Sequence, residues 1–159
     1  MSFRLEKAKD ADIQKTIDVL NELFDSQSLA VLSTQRDSQP YCNLVAFIVT
    51  GDLKGLIFAT TRATRKYENI SSNSNVALLV DNRNNQISDF HDAMAVNISG
   101  TVVELKGDER EKYIQFYLTK HPHLEDFVRS PSCALMMVAV ESYIIVNRFQ
   151  NVMVLHVEK

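Results

Sequence analysis

Three short apolar runs follow one another in the first half of the chain, with only turn residues between them. They cover residues 29–34, 41–50 and 56–61, and the connections over 35–40 and 51–55 contain Asp, Ser, Pro and Gly. Runs of this length with such connections are typical of strands joined by hairpins. Because parallel strands need a crossover of a dozen or more residues, the spacing predicts an antiparallel meander rather than βαβ units.

The rest of the chain extends this pattern. Ile13, Ile17, Leu20 and Phe24 recur at helical spacing after an N-terminal arm, residues 1–9, which we expect to be loose. A second helix is predicted from the capping-box spacing of Asp108 and Glu111, and a third, shorter one follows Thr64. Five further strands are predicted over residues 76–81, 93–105, 134–140, 143–148 and 152–157.

Seven or eight strands with three peripheral helices predict a mainly β fold, a closed or partly closed antiparallel barrel. Gly100 interrupts the 93–105 run and predicts a β-bulge or a bend there. The chain has no repeat, linker or low-complexity tract, so we expect a single domain over residues 1–159.

Composition excludes several classes of partner. The net charge of -3 gives no positive surface for nucleic acid or an anionic membrane. No apolar run reaches about 18 residues and no secretory leader is recognised, so the expected location is the cytoplasm. Cys42 and Cys133 are isolated from each other and from histidines, which is typical of reduced thiols.

The segment 56–70, LIFATTRATRKYENI, carries the strongest local signal for a ligand. An apolar strand ends in Thr60 and Thr61, Thr64 is suited to cap a helix, and Arg65 and Lys66 fall in its first turn. Two cations at a helix N-terminus are unfavourable unless an anion binds, so the segment indicates either a phosphate site or a solvated basic turn. The four glycines form no GxGxxG or P-loop motif, so side chains would have to hold such a phosphate.

No residues stand out as catalytic. The four histidines form no metal-ligand spacing and no GxSxG motif occurs, so the sequence predicts no metal site and leaves the catalytic residues unknown. Asn43 is the one polar residue inside an apolar strand segment and needs hydrogen-bond partners there. Any redox chemistry would therefore come from a bound cofactor.

Residues 29–82 resemble the flavin-binding split barrels related to pyridoxamine phosphate oxidase. The resemblance is carried by the turn with Pro40, the strand from Gly55 to Thr60 and Thr61, the Thr64-Arg65-Lys66 helix start with Asn69, the segment 73–75 and the strand from Val76. It implies an antiparallel split β-barrel of the FMN-binding type that forms a homodimer with FMN at the subunit interface.

The resemblance also assigns roles to residues of this chain. Thr60, Thr61, Arg65 and Lys66 would hold the FMN phosphate, with help from Thr64. The main chain of Asn43, Leu44, Val45 and Ala46 would lie along the isoalloxazine ring. The implied activity is that of a flavin-dependent oxidoreductase acting on a small substrate.

One activity is not expected, and two alternatives stay open. Genuine pyridoxamine phosphate oxidases have a longer N-terminus and an Arg-Leu-x-Pro ending, whereas this chain ends in VMVLHVEK, so we do not expect oxidation of vitamin B6. Because no catalytic constellation stands out, the chain could instead be a non-catalytic flavin or heme binding module that acts as a carrier, store or sensor. The segment YLTKHPHLEDF, followed by strands, resembles the heme-handling relatives, which use histidines of their C-terminal segments for heme, and His156 is the histidine near the end of this chain. A deazaflavin could also replace FMN in the same barrel.

Overall fold

A computed structural model describes residues 3–6, 10–148 and 151–159. The strands are β1 (Phe3–Leu5), β2 (Leu29–Arg36), β3 (Gln39–Val49), β4 (Gly55–Thr61), β5 (Asn75–Asp81), β6 (Met94–Glu104), β7 (Cys133–Asn147) and β8 (Asn151–Val157). The α-helices are α1 (Asp10–Ser26), α2 (Arg65–Ser72), α3 (Asp89–Asp92), α4 (Gly107–Lys120) and α5 (Glu125–Arg129), with a 3₁₀ turn at Pro122–Leu124.

Six strands close an antiparallel barrel. Their order is β7-β4-β3-β2-β5-β6, and β6 pairs again with β7, while β8 and then β1 extend the sheet from the far half of β7. The predicted mainly β fold, a split β-barrel with peripheral helices, is therefore confirmed. None of the described helices is both long enough and apolar enough to cross a bilayer.

The bulge predicted at Gly100 is confirmed and has a clear steric cause. Ser99 pairs with Ser142 and Gly100 with Val140, so Glu141 is the extra residue on β7. A Cβ on Gly100 would lie 2.3 Å from the backbone oxygen of Ala139, which excludes a side chain at this crossing.

The same bulge explains an error in the predicted strands. Residues 134–140 and 143–148 were expected to be separate because polar Glu141 and Ser142 interrupt the apolar pattern. The structure joins them in the single strand β7, Cys133–Asn147, which bends at the bulge and passes from pairing with β4 to pairing with β8.

Two helix and terminus predictions were also wrong in part. Within the arm expected to be loose, Phe3–Leu5 is a strand that pairs with β8, whereas residues 1–2 and 7–9 lie outside the described residues. Helix α4 begins at Gly107 after Lys106, without a side-chain cap, and Asp108 lies inside its first turn. Glu111 accepts from Arg129, with 3.1 Å between Oε1 and Nη1, instead of closing a capping box.

Apolar side chains form two cores, one inside the barrel and one outside it. The inner core contains Leu32, Val45, Phe47 and Phe58 and is closed by Leu20, Leu23 and Phe24 of α1. The outer core lies where α4 and α5 cover Ile48, Ile57, Ala59 and Leu135 of strands β3, β4 and β7. We call the outward side of these four residues the covered face.

Candidate functional site

The predicted N-cap of α2 is confirmed. Thr64 has an extended backbone, and its hydroxyl accepts from the backbone N–H of Tyr67 at 3.3 Å and donates to the carbonyl of Thr61 at 2.9 Å. The Oγ1 atoms of Thr60 and Thr64 lie 2.9 Å apart, and Thr60 is 1% exposed. The hydroxyl of Thr60 therefore fixes Thr64, while the half-buried Thr61 stands at the open end of the strand.

Two cations stand in the first turn of α2 without an acidic partner. Arg65 is exposed and Lys66 is half-buried, and neither forms an ion pair with a residue that the structure describes. The acid of that turn, Glu68, forms an ion pair with Arg36, with 2.6 Å between Oε1 and Nη1. Burial lowers the pKa of Lys66, and the helix N-terminus adds partial positive charge, so a bound anion would be stabilised here.

A third cation beside the same turn is already neutralised. The Nη2 atom of Arg62 lies 2.8 Å from Oε1 of Glu104, and its Nη1 donates to the carbonyl of Pro131 at 2.9 Å. Arg62 thus ties the loop after β4 to neighbouring strands. The positive charge left to bind a ligand belongs to Arg65 and Lys66.

Beside this corner β3 and β4 stop pairing, and we call the unpaired stretch of their facing edges the slot. Their pairing ends with Phe47 opposite Phe58. Continued in the same register, Ala46 would face Ala59 and Leu44 would face Thr61, but these residues are not paired. The diverging edges leave backbone N–H and C=O groups available to a flat ligand, apart from the carbonyl of Ala46, which accepts from the Tyr117 hydroxyl at 3.3 Å.

Asn43 carries an unsatisfied polar atom on the same strand. Its Oδ1 is buried and has no hydrogen-bond partner among the described residues, while Nδ2 makes only a long bond, 3.4 Å, to the carbonyl of Leu44. A buried acceptor without a donor costs about 1–3 kcal/mol, so its presence points to a missing donor. A flavin ring carries such a donor in its imide N–H, and the site therefore fits this class of ligand.

The structure separates side-chain from main-chain roles within the predicted ring-binding segment. Val45 points into the barrel core and is 4% exposed, so only its backbone could meet a ligand. Leu44 points outward and is 62% exposed, and Ala46 is half-buried on the same side. The expectation that this segment acts through its main chain agrees with this geometry, although ligand contact stays a prediction.

The sequence interpretation missed Tyr41. The Arg65 guanidinium lies over its ring, with 5.3 Å from Cζ to the centroid. Both residues line a cleft of about 640 Å³ between the β2–β3 hairpin and α2. The available signal was the alternation on β3, because Tyr41 stands two residues before Asn43 and points to the same side of the strand.

Beside Asp81, the charged last residue of β5, one side of the barrel exposes ten uncharged outward residues of four adjacent strands. They are half-buried or exposed, and they are Leu29, Val31, Ser33, Cys42, Leu44, Ala46, Ala77, Leu79, Asn97 and Ser99. The register aligns them in rows, such as Leu44, Val31, Leu79 and Asn97. We call this surface the neutral face; it combines exposed apolar side chains with uncharged polar ones such as Ser33, Asn97 and Ser99, and exposed apolar side chains grouped in this way are typical of interaction sites.

The histidines lie apart from this corner. His156 pairs with Glu6 at 2.8 Å between Nε2 and Oε1. His121 is 2% exposed, its Nε2 lies 2.8 Å from the carbonyl of Phe47, and burial lowers its pKa. Within the described ranges, no three His, Cys, Asp or Glu side chains come together as a metal site.

Comparison with known proteins gives a family and a fold. The family model described as pyridoxamine 5'-phosphate oxidase matches residues 17–147. No curated protein matches the sequence.

Solved structures share the fold at low identity. A heme binding protein from Mycobacterium smegmatis has a TM-score of 0.73 at 12% identity over 92% of this chain and 57% of its own. HutZ, the heme storage protein from Vibrio cholerae, has a TM-score of 0.68 at 12% identity over 88% and 92% of the two chains. Atu2129 of Agrobacterium tumefaciens, of unknown function, has a TM-score of 0.74 at 15% identity over 84% of this chain and 57% of its own. This chain thus spans little more than half the length of two of these three proteins.

Proposed function

The chain belongs to the pyridoxamine 5'-phosphate oxidase family, and we propose that it binds FMN and acts as a flavin-dependent oxidoreductase on a small substrate. The observation that carries the proposal is the α2 corner, where Arg65 and Lys66 have no acidic partner in the described structure. The open β3–β4 edges and the unsatisfied Oδ1 of Asn43 lie on the adjoining strand and support it.

In this proposal each part of the corner has a separate task. Arg65 donates in a planar fork to the phosphate, Lys66 adds a point charge, and the N–H groups of the first helical turn complete the contact. Thr60 and Thr64 hold the turn in place, and Thr61 offers its hydroxyl at the strand end.

The strand segment Asn43–Ala46 would orient the ring. Asn43 accepts a hydrogen bond from the ring through Oδ1, and the backbone groups of Leu44 and Ala46 border its edge. When bound, FMN supplies hydride or electron transfer, which the side chains of this corner cannot perform.

We also propose a homodimer formed through the neutral face. Leu29 and Leu44 are 53% and 62% exposed in the single chain, and a twofold interface would bury both copies of this uncharged surface. Leu44 and Ala46 belong to that face and to the proposed ring site, so the second subunit would stand next to the cofactor.

Titration with flavins tests the proposal. Arg65→Ala with Lys66→Ala should weaken FMN binding by about 150- to 25,000-fold, because the two charged hydrogen bonds contribute roughly 1.5–3 kcal/mol each. Riboflavin, which lacks the phosphate, should bind the variant and the wild type alike. The matched control is Lys106→Ala with Lys112→Ala, two exposed cations outside the corner.

Two results would contradict this assignment. A wild-type protein that neither quenches FMN fluorescence nor is thermally stabilised by FMN would overturn flavin binding. Equal losses for FMN and riboflavin would show that the pair does not bind the phosphate. Photoreduction without air, followed by a panel of electron acceptors, separates an oxidoreductase from a flavin carrier, which should reoxidise slowly and without selectivity.

Heme is the second candidate ligand, because two similar folds belong to a heme binding and a heme storage protein. A hemin titration that gives a saturable Soret band, altered by His156→Ala, would favour it. A Soret band that His156→Ala leaves unchanged would remove His156 as the ligand. Deazaflavin is tested in the same flavin assay.

A further inference from the structure

A cleft lies beyond the α2 corner, toward the start of β3. Its volume of about 640 Å³ falls within the roughly 300–1,000 Å³ of small-molecule sites. Residues that line it include Arg36, Gln39, Tyr41, Arg65, Glu68 and Asn69. Arg65 therefore belongs both to this cleft and to the proposed phosphate site.

The cleft has a rigid wall and a planar surface. The turn between β2 and β3 consists of two residues, Asp37 and Ser38, with φ of 50° and 63°, which matches the tight hairpin turn that fixes strand register. Next to it, the Arg65 guanidinium lies over the Tyr41 ring, with 5.3 Å from Cζ to the centroid. Asn69 is 3% exposed and is held by its Nδ2 bond to Thr34 Oγ1 at 3.0 Å.

One cation of the cleft, Arg65, has no acidic partner among the described residues. Glu68 is occupied by Arg36 at 2.6 Å, and Asp37 is 95% exposed and 4.0 Å from the same arginine. Neither acid pairs with Arg65 in the described structure. A ligand here meets one uncompensated guanidinium stacked on an aromatic ring, an arrangement suited to a phosphate next to a planar base.

Position along β3 distinguishes a cofactor extension from a substrate. A substrate must reach the flavin ring at Asn43–Ala46, whereas Tyr41 lies two to five residues earlier, about 7–16 Å along the strand, and its ring lies under Arg65 of the proposed phosphate site. A group bound at Tyr41 is thus on the phosphate side of the cofactor. It must be attached to that phosphate or lie next to it.

We propose that this cleft binds the adenylate half of FAD, with the FMN half in the α2 corner. The inference rests on the proposed function, because it places the shared phosphate at Arg65 and Lys66. Arg65 then bridges the two phosphates, and adenine stacks on the surface formed by Tyr41 and the guanidinium.

The experiment measures the dissociation constants of FAD, FMN and riboflavin for the full chain. Wild type should bind FAD at least about tenfold more tightly than FMN. Tyr41→Ala should weaken FAD by about 5- to 150-fold, the range for loss of one base stack, and FMN by less than about threefold. Tyr41→Phe should keep the preference, because the ring and not the hydroxyl carries it.

A matched control exists on α4. Tyr113 has a Lys112 ammonium 5.4 Å from its ring centroid, which resembles the Tyr41–Arg65 pair but lies outside the cleft. Tyr113→Ala should leave the ratio of FAD to FMN affinity unchanged.

The outcomes separate the two proposals. Equal wild-type affinities for FAD and FMN, or equal losses of both in Tyr41→Ala, would overturn the adenylate site and leave the FMN proposal standing. A wild-type protein that binds neither flavin would overturn both. The wild-type ratio requires no variant, so it decides the question even if Tyr41→Ala does not fold.

Discussion

The outside of the barrel has two faces that share strand β3 and differ in what covers them. On the covered face, Ile57 and Leu135 are fully buried beneath α4 and α5. On the neutral face, Leu44 and Leu29 are more than half exposed, although their neighbours are equally uncharged. The covered face is apolar and the neutral face combines apolar with uncharged polar residues, and among the described residues only the covered face lies beneath other elements of the chain.

This difference affects how the slot between β3 and β4 could be covered. The slot opens where the two faces meet, with Ala59 of the covered face on one edge and Ala46 of the neutral face on the other. A body seated on the neutral face would therefore close the slot from one side while α4 closes it from the other. For this reason the proposed homodimer would complete the proposed cofactor site.

The largest effect should come from the covered face. Ile57→Ala removes a fully buried side chain and should lower the free energy of unfolding by about 2–5 kcal/mol. Leu44→Ala should change it by less than about 0.5 kcal/mol when the protein is dilute enough to be monomeric. Urea denaturation of both variants measures the contrast, and similar losses would show that the two faces are equally packed within the chain.

The next effect concerns association. Leu44→Glu places a charge on the neutral face at its most exposed leucine and should raise the dimer dissociation constant at least about 30-fold, the effect of losing one hot-spot residue. Sedimentation equilibrium measures it. Val152→Glu on β8, where Val152 is 56% exposed, is the matched control and should have no effect. A Leu44→Glu protein that dimerises like wild type would show that the neutral face is not the interface.

The sequence predicted the features that depend on neighbours along the chain. The strands of the meander follow from alternation and turn residues, the N-cap from the identity of Thr64, and the bulge from Gly100. Each is decided within a few residues, so a local pattern carries the information.

Features that depend on distant partners could not be predicted. Arg62 and Arg65 are three residues apart and look alike in the sequence, but Glu104, 42 residues later, neutralises only the first. The slot depends on the point at which β3 and β4 stop pairing. The residue types at Ala46 and Ala59 do not indicate that point. Glu141 appeared to end a strand because its role as the bulged residue depends on its pairing with β6.

The smallest effect concerns Lys120, the last residue of α4, which is one of the two helices that pack over the covered face. Its Nζ donates to the carbonyl of Phe24 at 2.7 Å and lies 4.1 Å from the centroid of the Phe47 ring. Burial lowers the pKa of Lys120 from 10.5 to about 8. The unfolded chain therefore binds a proton more tightly than the folded chain, and stability should rise with pH between about 8 and 10.5.

Lys120→Met isolates this contribution, because the other groups that titrate in this range cancel in the difference between the two proteins. The free energy of unfolding of wild type minus that of Lys120→Met should increase as the pH rises from 7 to 10.5. A flat difference for Lys120→Met would mean that its ammonium is solvated in the folded protein. The covered face would then be sealed at this end by apolar contacts alone, and the contrast with the neutral face would rest entirely on packing.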